Sequence, residues 1–515
     1  MGAAGTGYTR WCPLLTVTKG SPMTSAQAPT DQSESGEPTG AAGRRPSTDA
    51  IVFVLFGATG DLAHRMVLPA FFQLVQHGLM PENYILVGNG RGDVSHENFR
   101  QRVQDSLTAQ GLDLEQGPDA ALWQDFAPRL RFAGGGFASD DPGSLLDVLS
   151  EARESLGTNA RYIHYLAVPP VAFAGLTEGL AEHKLLDGAR VVYEKPYGTS
   201  PDGFRKLDEL VLSKMDESQV YRIDHFLGKE ATQNLHVLRF ANSMIGDIWN
   251  NRHVQQVQID VPETLDVADR AQFYDATGAF RDMIVTHLFQ VAAEVAMEPP
   301  VSFGDDDLQE AREAVIAAFR PLDPAEAVFG QAEGYRDLPD VADDSTTDTL
   351  AAVTLWIDTD RWHGVPFLLR SGKQLAESRQ QVSLLLRKPD GPLTQVPGQG
   401  GVLALSLSGS GALELSLVLK KPGPGLELVE HSIDLHLEDI RGADPLPPYV
   451  ALIHDVTIGD RTLFTSSAGL AQAWRVARPV LDRTEPPKPY APGSWGPDEV
   501  QALPGACGWL VETDR

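Results

Sequence analysis

The chain has 515 residues, 42% hydrophobic and 22% charged, which is too long for one ordinary core and fits a folded protein of two domains. Its 70 acidic against 42 basic residues give a net charge of −28, which excludes a nucleic-acid or anionic-membrane surface and sends any anionic ligand to a local basic pocket. Cys12 and Cys507 are the only cysteines and have neither metal-ligand spacing nor a disulfide framework, so a reducing cytoplasm is the expected compartment. No apolar run approaches the roughly 20 residues of a spanning helix.

Residues 1–49 are rich in Gly, Ala, Ser, Thr and Pro without periodicity and read as disordered, with Met23 a second candidate start. Order begins at Ile51–Phe56, an apolar run suited to a buried parallel strand. Gly57-Ala58-Thr59-Gly60-Asp61-Leu62-Ala63 follows and opens a helix through Val67, Leu68, Phe71, Phe72 and Leu74. Strand, glycine turn and helix N-terminus form a phosphate-cradling unit of the dinucleotide-binding type, although a GxxGxxA turn is as often purely structural. A second strand, Tyr84–Gly88, ends in Asn89-Gly90-Arg91, where an arginine suits a ribose 2′-phosphate and points to NADP rather than NAD. Asp93 stands close enough to compete for that arginine.

Tyr162–Val168 reads as a further strand, ending in Pro169-Pro170. Val191-Val192-Tyr193 leads into Glu194-Lys195-Pro196, which sets a lysine at the carboxyl end of a parallel strand, where such sheets bind ligands. The run Val220–Ile223 ends in Asp224 and His225, and Lys229-Glu230 open a helix carrying Leu235 and Leu238. A carboxylate, an imidazole and an ammonium within six residues can orient a base and hold an anion, or make a solvated turn.

Beyond residue 222 the alternation of strand and helix gives way. His253–Val261 is strand-like and leads to Glu263, and Ala276–Met297 reads as one helix with Phe280, Met283, Ile284, His287, Leu288 and Val291 on one face. Ala352–Ile357, Val382–Leu386, Ala412–Leu419 and Ser432–Leu437 read as an antiparallel sheet. The expected fold is an α/β Rossmann-type dinucleotide-binding domain at 50–222, followed by an α+β domain with a large, mainly antiparallel sheet at 223–515.

The stretch Arg222–Glu230, RIDHFLGKE, resembles the active-site signature RIDH(Y)LGKE of the glucose-6-phosphate dehydrogenase family, with Phe226 in the tyrosine slot. The resemblance runs from about Ile51 to Trp509 through the LAxPP loop at Leu166–Pro170, the EKP lysine, RDxxxNH at Arg281–His287, RxGK at Arg370–Lys373 and YxxGSWGP at Tyr490–Pro497. It implies oxidation of the hemiacetal carbon of glucose 6-phosphate to the lactone. His287 would be the general base and Asp224 its partner, a carboxylate that fixes the imidazole tautomer and raises its basicity. His225 and Lys229 would hold the phosphate, Glu263 and Asp282 the sugar hydroxyls, and Lys373 would reach the substrate from the second domain. NADP would lie on Gly57, Thr59, Gly60, Asp61, Leu62 and Arg91, with Lys195 touching both ligands. The large sheet would face a partner subunit in a homodimer or homotetramer.

Several positions depart from the family pattern. Met66 replaces a lysine, Phe226 the tyrosine, Val285 and Thr286 a glutamine and an asparagine, Ser378 an arginine, and Ser467-Ala468 an acidic pair. Two other readings stay open. One is a sugar oxidoreductase of the glucose–fructose oxidoreductase type, which shares EKP; the other is a catalytically silent paralogue that binds a sugar phosphate or nucleotide.

Overall fold

The computed structural model describes residues 46–512 apart from 48, 93, 158, 268, 269 and 394–399. Most of the stretch read as disordered, together with Cys12, Met23 and Asp93, lies outside the described residues.

Six parallel strands form the core of the first sheet: β1 (Ile51–Phe56), β2 (Tyr84–Asn89), β3 (Leu130–Ala133), β4 (Arg161–Leu166), β5 (Arg190–Tyr193) and β6 (Val220–Ile223). Their order is β6-β5-β4-β1-β2-β3, the doubly wound arrangement of a Rossmann fold. Strand β1 is central and buried at every position, which is why it reads as an unbroken apolar run. The order reverses between β1 and β4, so a crevice opens at their carboxyl ends.

The second sheet takes up β7 (Val254–Pro262), β8 (Ala327–Ala332), β9 (Leu350–Leu355), β10 (Phe367–Gly372), β11 (Gln381–Leu386), β12 (Val402–Ser406), β13 (Ala412–Lys420) and β14 (Leu428–His436). The short β15 (Phe464–Thr465) returns to the first sheet and pairs antiparallel with β6, while β16 (Lys488–Tyr490) joins the second beside β8. The nine strands run β14-β13-β12-β11-β7-β10-β9-β8-β16, antiparallel except for β7 with β10 and β8 with β16. The expected fold class is therefore present. Its two halves are interleaved, because β15 lies more than two hundred residues beyond the strand it pairs with.

Buried ion pairs fasten this return. The Arg312 guanidinium binds the Glu294 carboxylate and donates to the Thr462 carbonyl at 3.0 Å, just before β15. Arg222 of the signature is itself such a fastener. It is 1% exposed and pairs with Asp208 at 2.9 Å and Glu217 at 2.7 Å.

The stretch expected as one helix at 276–297 is instead three pieces. Ala271–Ala279 ends in a kink at Gly278, Phe280–Leu288 winds as a π-helix, and Phe289–Ala296 resumes the α-helix. Gly278 takes φ +72° and ψ 166°, a conformation open to glycine almost alone, and a Cβ there would lie 3.0 Å from the Asp348 carboxylate. That carboxylate accepts the Phe280 N–H at 2.7 Å and so caps the π-helix from the segment just before β9.

Candidate active site

Two sheet edges build the site. Lys195 follows β5 and Asp224-His225 follow β6, at the carboxyl ends of the parallel strands. Opposite them Glu263 follows β7 and Lys373 follows β10, strands that run parallel and end together, with Gly372 paired to Pro262.

The π-helix between these edges supplies Asp282 and His287. Residues five apart on an α-helix point about 140° away from each other, but the wider winding of a π-helix brings them closer to one face. The Phe289 N–H donates to the Ile284 carbonyl, the i→i−5 backbone bond of this wide winding, and the Thr286 Oγ1 side chain donates to the Arg281 carbonyl at 2.8 Å. Asp282 and His287 thus reach a common partner, Lys195.

His287 is fully buried, and its Nδ1 lies 2.6 Å from Asp224 Oδ1. Asp224 Oδ1 also accepts the Phe226 N–H at 2.9 Å, which fixes the carboxylate. With Nδ1–H committed to Asp224, Nε2 carries the lone pair. Lys195 Nζ stands on it at 2.8 Å and lies 3.4 Å from Asp282 Oδ1. Burial first, and then the Lys195 ammonium, hold His287 well below the usual imidazole range. Burial, with Lys195 second, therefore outweighs the rise in basicity expected from Asp224 alone, and the unliganded site keeps a neutral imidazole. Burial raises the Asp224 carboxyl to about 6, with neighbouring positive charge limiting the rise, so it is ionised at neutral pH. Burial opposes ionisation of Asp282 most strongly, but Lys195, His287 and Lys373 together outweigh it and keep this carboxyl below its ordinary value.

Glu194 anchors the lysine. Its Oε1 accepts the Tyr165 hydroxyl at 2.6 Å and its Oε2 the Lys195 N–H at 3.3 Å, and burial raises its pKa. No separate signal in the sequence marked Glu194 or Tyr165, because only the pairing of β4 with β5 brings them together.

His225 lies edge-on to His287, ring centroids 4.6 Å apart, and burial drives its pKa well down. Phe226 is buried, its ring tilted against His287 at 4.8 Å, with Lys229 Nζ 4.2 Å from its centroid. The ring thus sits between the imidazole and the ammonium, and the packing survives loss of a phenol hydroxyl. Lys229 binds the Gln380 side-chain oxygen and the Leu407 carbonyl, and burial lowers it to about 8. Lys373 pairs with Glu263, and its carbonyl accepts the Tyr490 hydroxyl at 2.7 Å. Asp224, His225 and His287 bring donor atoms within 4.8 Å of one another, a spacing a cation can use, but Lys195 already occupies Nε2 of His287.

At the crevice, Gly57 has φ +77°, and any Cβ there would run into the Ala167 carbonyl. The Gly60 N–H donates to the Gly57 carbonyl at 2.8 Å, closing the turn just before Asp61 and Leu62 begin the helix. Thr59, Gly60 and Asp61 are exposed along this turn, and Arg91 is exposed just past β2. This backbone fits a dinucleotide: the turn leaves room for a pyrophosphate at a helix N-terminus, with a guanidinium at the second strand that has no partner among the described residues. Met66 is 43% exposed. Ser378 is taken up structurally, accepting the Thr264 N–H at 2.8 Å, and Arg379 pairs with Glu377.

Two family models divide most of the chain between them. "Glucose-6-phosphate dehydrogenase, NAD binding domain" matches residues 54–234, and "Glucose-6-phosphate dehydrogenase, C-terminal domain" matches residues 236–509. The chain belongs to the glucose-6-phosphate dehydrogenase family. A glucose-6-phosphate 1-dehydrogenase of Mycobacterium tuberculosis is 35% identical over 469 residues, covering 89% of this chain and 96% of the relative. The crystal structure of the enzyme from Mycobacterium avium superposes with a TM-score of 0.80 at 35% identity, covering 90% of this chain and 98% of that one. A family member in complex with its substrate glucose-6-phosphate gives a TM-score of 0.83 at 29% identity, over 91% of this chain and 99% of that one.

Proposed function

We propose that this chain oxidises D-glucose 6-phosphate at C1 to 6-phospho-D-glucono-1,5-lactone, with NADP as the acceptor. The observation that carries the reading is the buried His287–Asp224 pair, whose single free nitrogen faces a lysine shared with Asp282. Bound NADP supplies the carbon that accepts hydride from C1.

His287 Nε2 takes the proton of the C1 hydroxyl once the sugar displaces Lys195 from it. Asp224 accepts from Nδ1–H throughout and stabilises the imidazolium that forms. Lys195 turns toward the ligands, and Asp282 and Glu263 accept from sugar hydroxyls. Lys229 and His225 hold the phosphate, and Lys373 enters from the end of β10. Arg91 pairs with the 2′-phosphate, while Gly57, Thr59, Gly60, Asp61 and Leu62 present turn backbone to the pyrophosphate. The cofactor half spans 50–222, and the substrate and oligomerisation half 223–515.

Initial rates with glucose 6-phosphate or glucose, each with NADP or NAD, test the reading. NADP with glucose 6-phosphate is the favoured pair; absence of nicotinamide reduction with it overturns the proposal in favour of a silent paralogue. Arg91→Ala weakens NADP by about one to two decades with NAD little affected, since an Arg–phosphate bond stabilises by roughly 1.5–3 kcal/mol. Equal losses for both cofactors remove Arg91 from this role.

We also infer a homo-oligomer built on the outer strands of the large sheet. Leu413 pairs with Leu435 and Leu415 with Ile433, so alternate residues make one apolar face. Leu413 and Leu415 pack on the core, yet farther out Leu419 is 45%, Ile433 57% and Leu435 49% exposed. Cytoplasmic placement is supported by the sparse cysteines alone.

A further inference from the structure

We propose that Gln380 is a contact for the substrate's 6-phosphate, its side-chain amide N–H donating to a phosphate oxygen beside Lys229. The inference rests on the assignment of Lys229 to that phosphate.

Gln380 belongs to no motif, and its place is set by strand pairing. It immediately precedes β11, which runs antiparallel to β7, so the start of β11 meets the ends of β7 and β10. Glu263, Lys373 and Gln380 therefore leave three adjacent strands at one edge, the edge that faces Asp224 and Lys229. The Gln380 main chain is held there by the Leu407 N–H, which donates to its carbonyl at 2.7 Å.

The amide orientation follows from its partner. Lys229 Nζ bonds the Gln380 side chain and carries donors only, so the atom it meets is the carbonyl oxygen. The amide nitrogen then points away from the ammonium with two N–H donors, and it has no bond among the described residues. Its neighbours in sequence are committed elsewhere, Ser378 to Thr264 and Arg379 to Glu377. A phosphate drawn to Lys229 meets a neutral, directional donor that is already fixed by the same lysine. Specificity for the phosphorylated sugar then depends on an amide at 380, because a carboxylate there would still satisfy Lys229 but would repel the ligand.

The test is steady-state kinetics on Gln380→Leu, Gln380→Glu and Lys229→Met, reading the ratio of kcat/KM for glucose 6-phosphate to that for glucose. Gln380→Leu is expected to lower this ratio about tenfold, through KM, as befits one donor to a charged oxygen in a partly hydrated site. Gln380→Glu is expected to lower it further, by another tenfold or so, from the added like charge. A residue that only steadied Lys229 would give the opposite order, since glutamate is the better partner for an ammonium; a ratio near wild type in Gln380→Glu therefore overturns the proposal. Lys229→Met separates this from the reading beneath it. If its ratio collapses while both Gln380 variants keep theirs, only the role of Gln380 falls. If its ratio is unchanged, the phosphate binds elsewhere and both readings fall. For a variant too slow to assay, the shift of the unfolding midpoint by glucose 6-phosphate, relative to glucose, reads the same contact.

Discussion

A neutral imidazole, an ionised carboxylate and an ammonium share one buried cluster at His287, Asp224 and Lys195, and each fixes the state of the next. Asp224 sets the tautomer, Lys195 covers the remaining lone pair, and burial keeps water from doing either job. The pairing of Asp224 with His287 was legible in the sequence, through the resemblance of two motifs. The position of Lys195 on Nε2 was not, because a lysine after a strand could point toward cofactor, sugar or solvent equally well. Gln380 gave no signal, since its contact with Lys229 spans 151 residues. Lys229 yields a pH prediction. Burial lowers its free-enzyme value from 10.5 to about 8, so the ammonium is present below that pH and is lost as pH rises through it. Above about pH 8, kcat/KM for glucose 6-phosphate falls about tenfold per pH unit, while unphosphorylated glucose lacks this limb. The same alkaline limb with both sugars would show that the titrating group is not reading the phosphate.

Between residues 271 and 296 the chain carries the chemistry on a broken helix, and the break has identifiable parts. The apolar residues follow the period of an α-helix, so the pattern could not reveal a π-helical turn within it. What converts the winding is tertiary: Asp348, beside β9, caps the Phe280 N–H, and Arg483 holds the other oxygen of that carboxylate. Gly278 makes the approach possible. Gly278→Ala is therefore expected to destabilise the protein by about 1–3 kcal/mol, from a conformation that suits glycine alone. It also lowers kcat, because Asp282 and His287 no longer stack on Lys195. Unfolding in denaturant with parallel kinetics checks both effects; an alanine variant with wild-type stability and turnover would mean that the kink is dispensable. Most strands, by contrast, were readable, since β1 is an unbroken apolar run and the later strands lie between turns rich in Gly and Pro.

Across the whole molecule, two sheets present their edges to each other, and the site lies where the edges meet. A Rossmann-type first half was legible from its strand–glycine turn–helix unit, and a mainly antiparallel second sheet from the change of pattern beyond residue 222; the strand order itself was not. The return of Phe464–Thr465 to the first sheet was not legible either, because a two-residue strand has no periodicity to read. The uncovered apolar face of β13 and β14 gives the assembly prediction. Ile433→Lys in each subunit sets like charges against an apolar contact, and light scattering is expected to show a shift toward smaller species. An unchanged mass at all concentrations would place the interface elsewhere. The central claim is that His287 removes the proton as C1 is oxidised, and the most direct measurement is the single-turnover rate of NADP reduction with saturating glucose 6-phosphate in wild type and His287→Asn. The rate is expected to fall by roughly two to four decades while substrate affinity changes little; near-wild-type reduction by the asparagine variant would contradict the account.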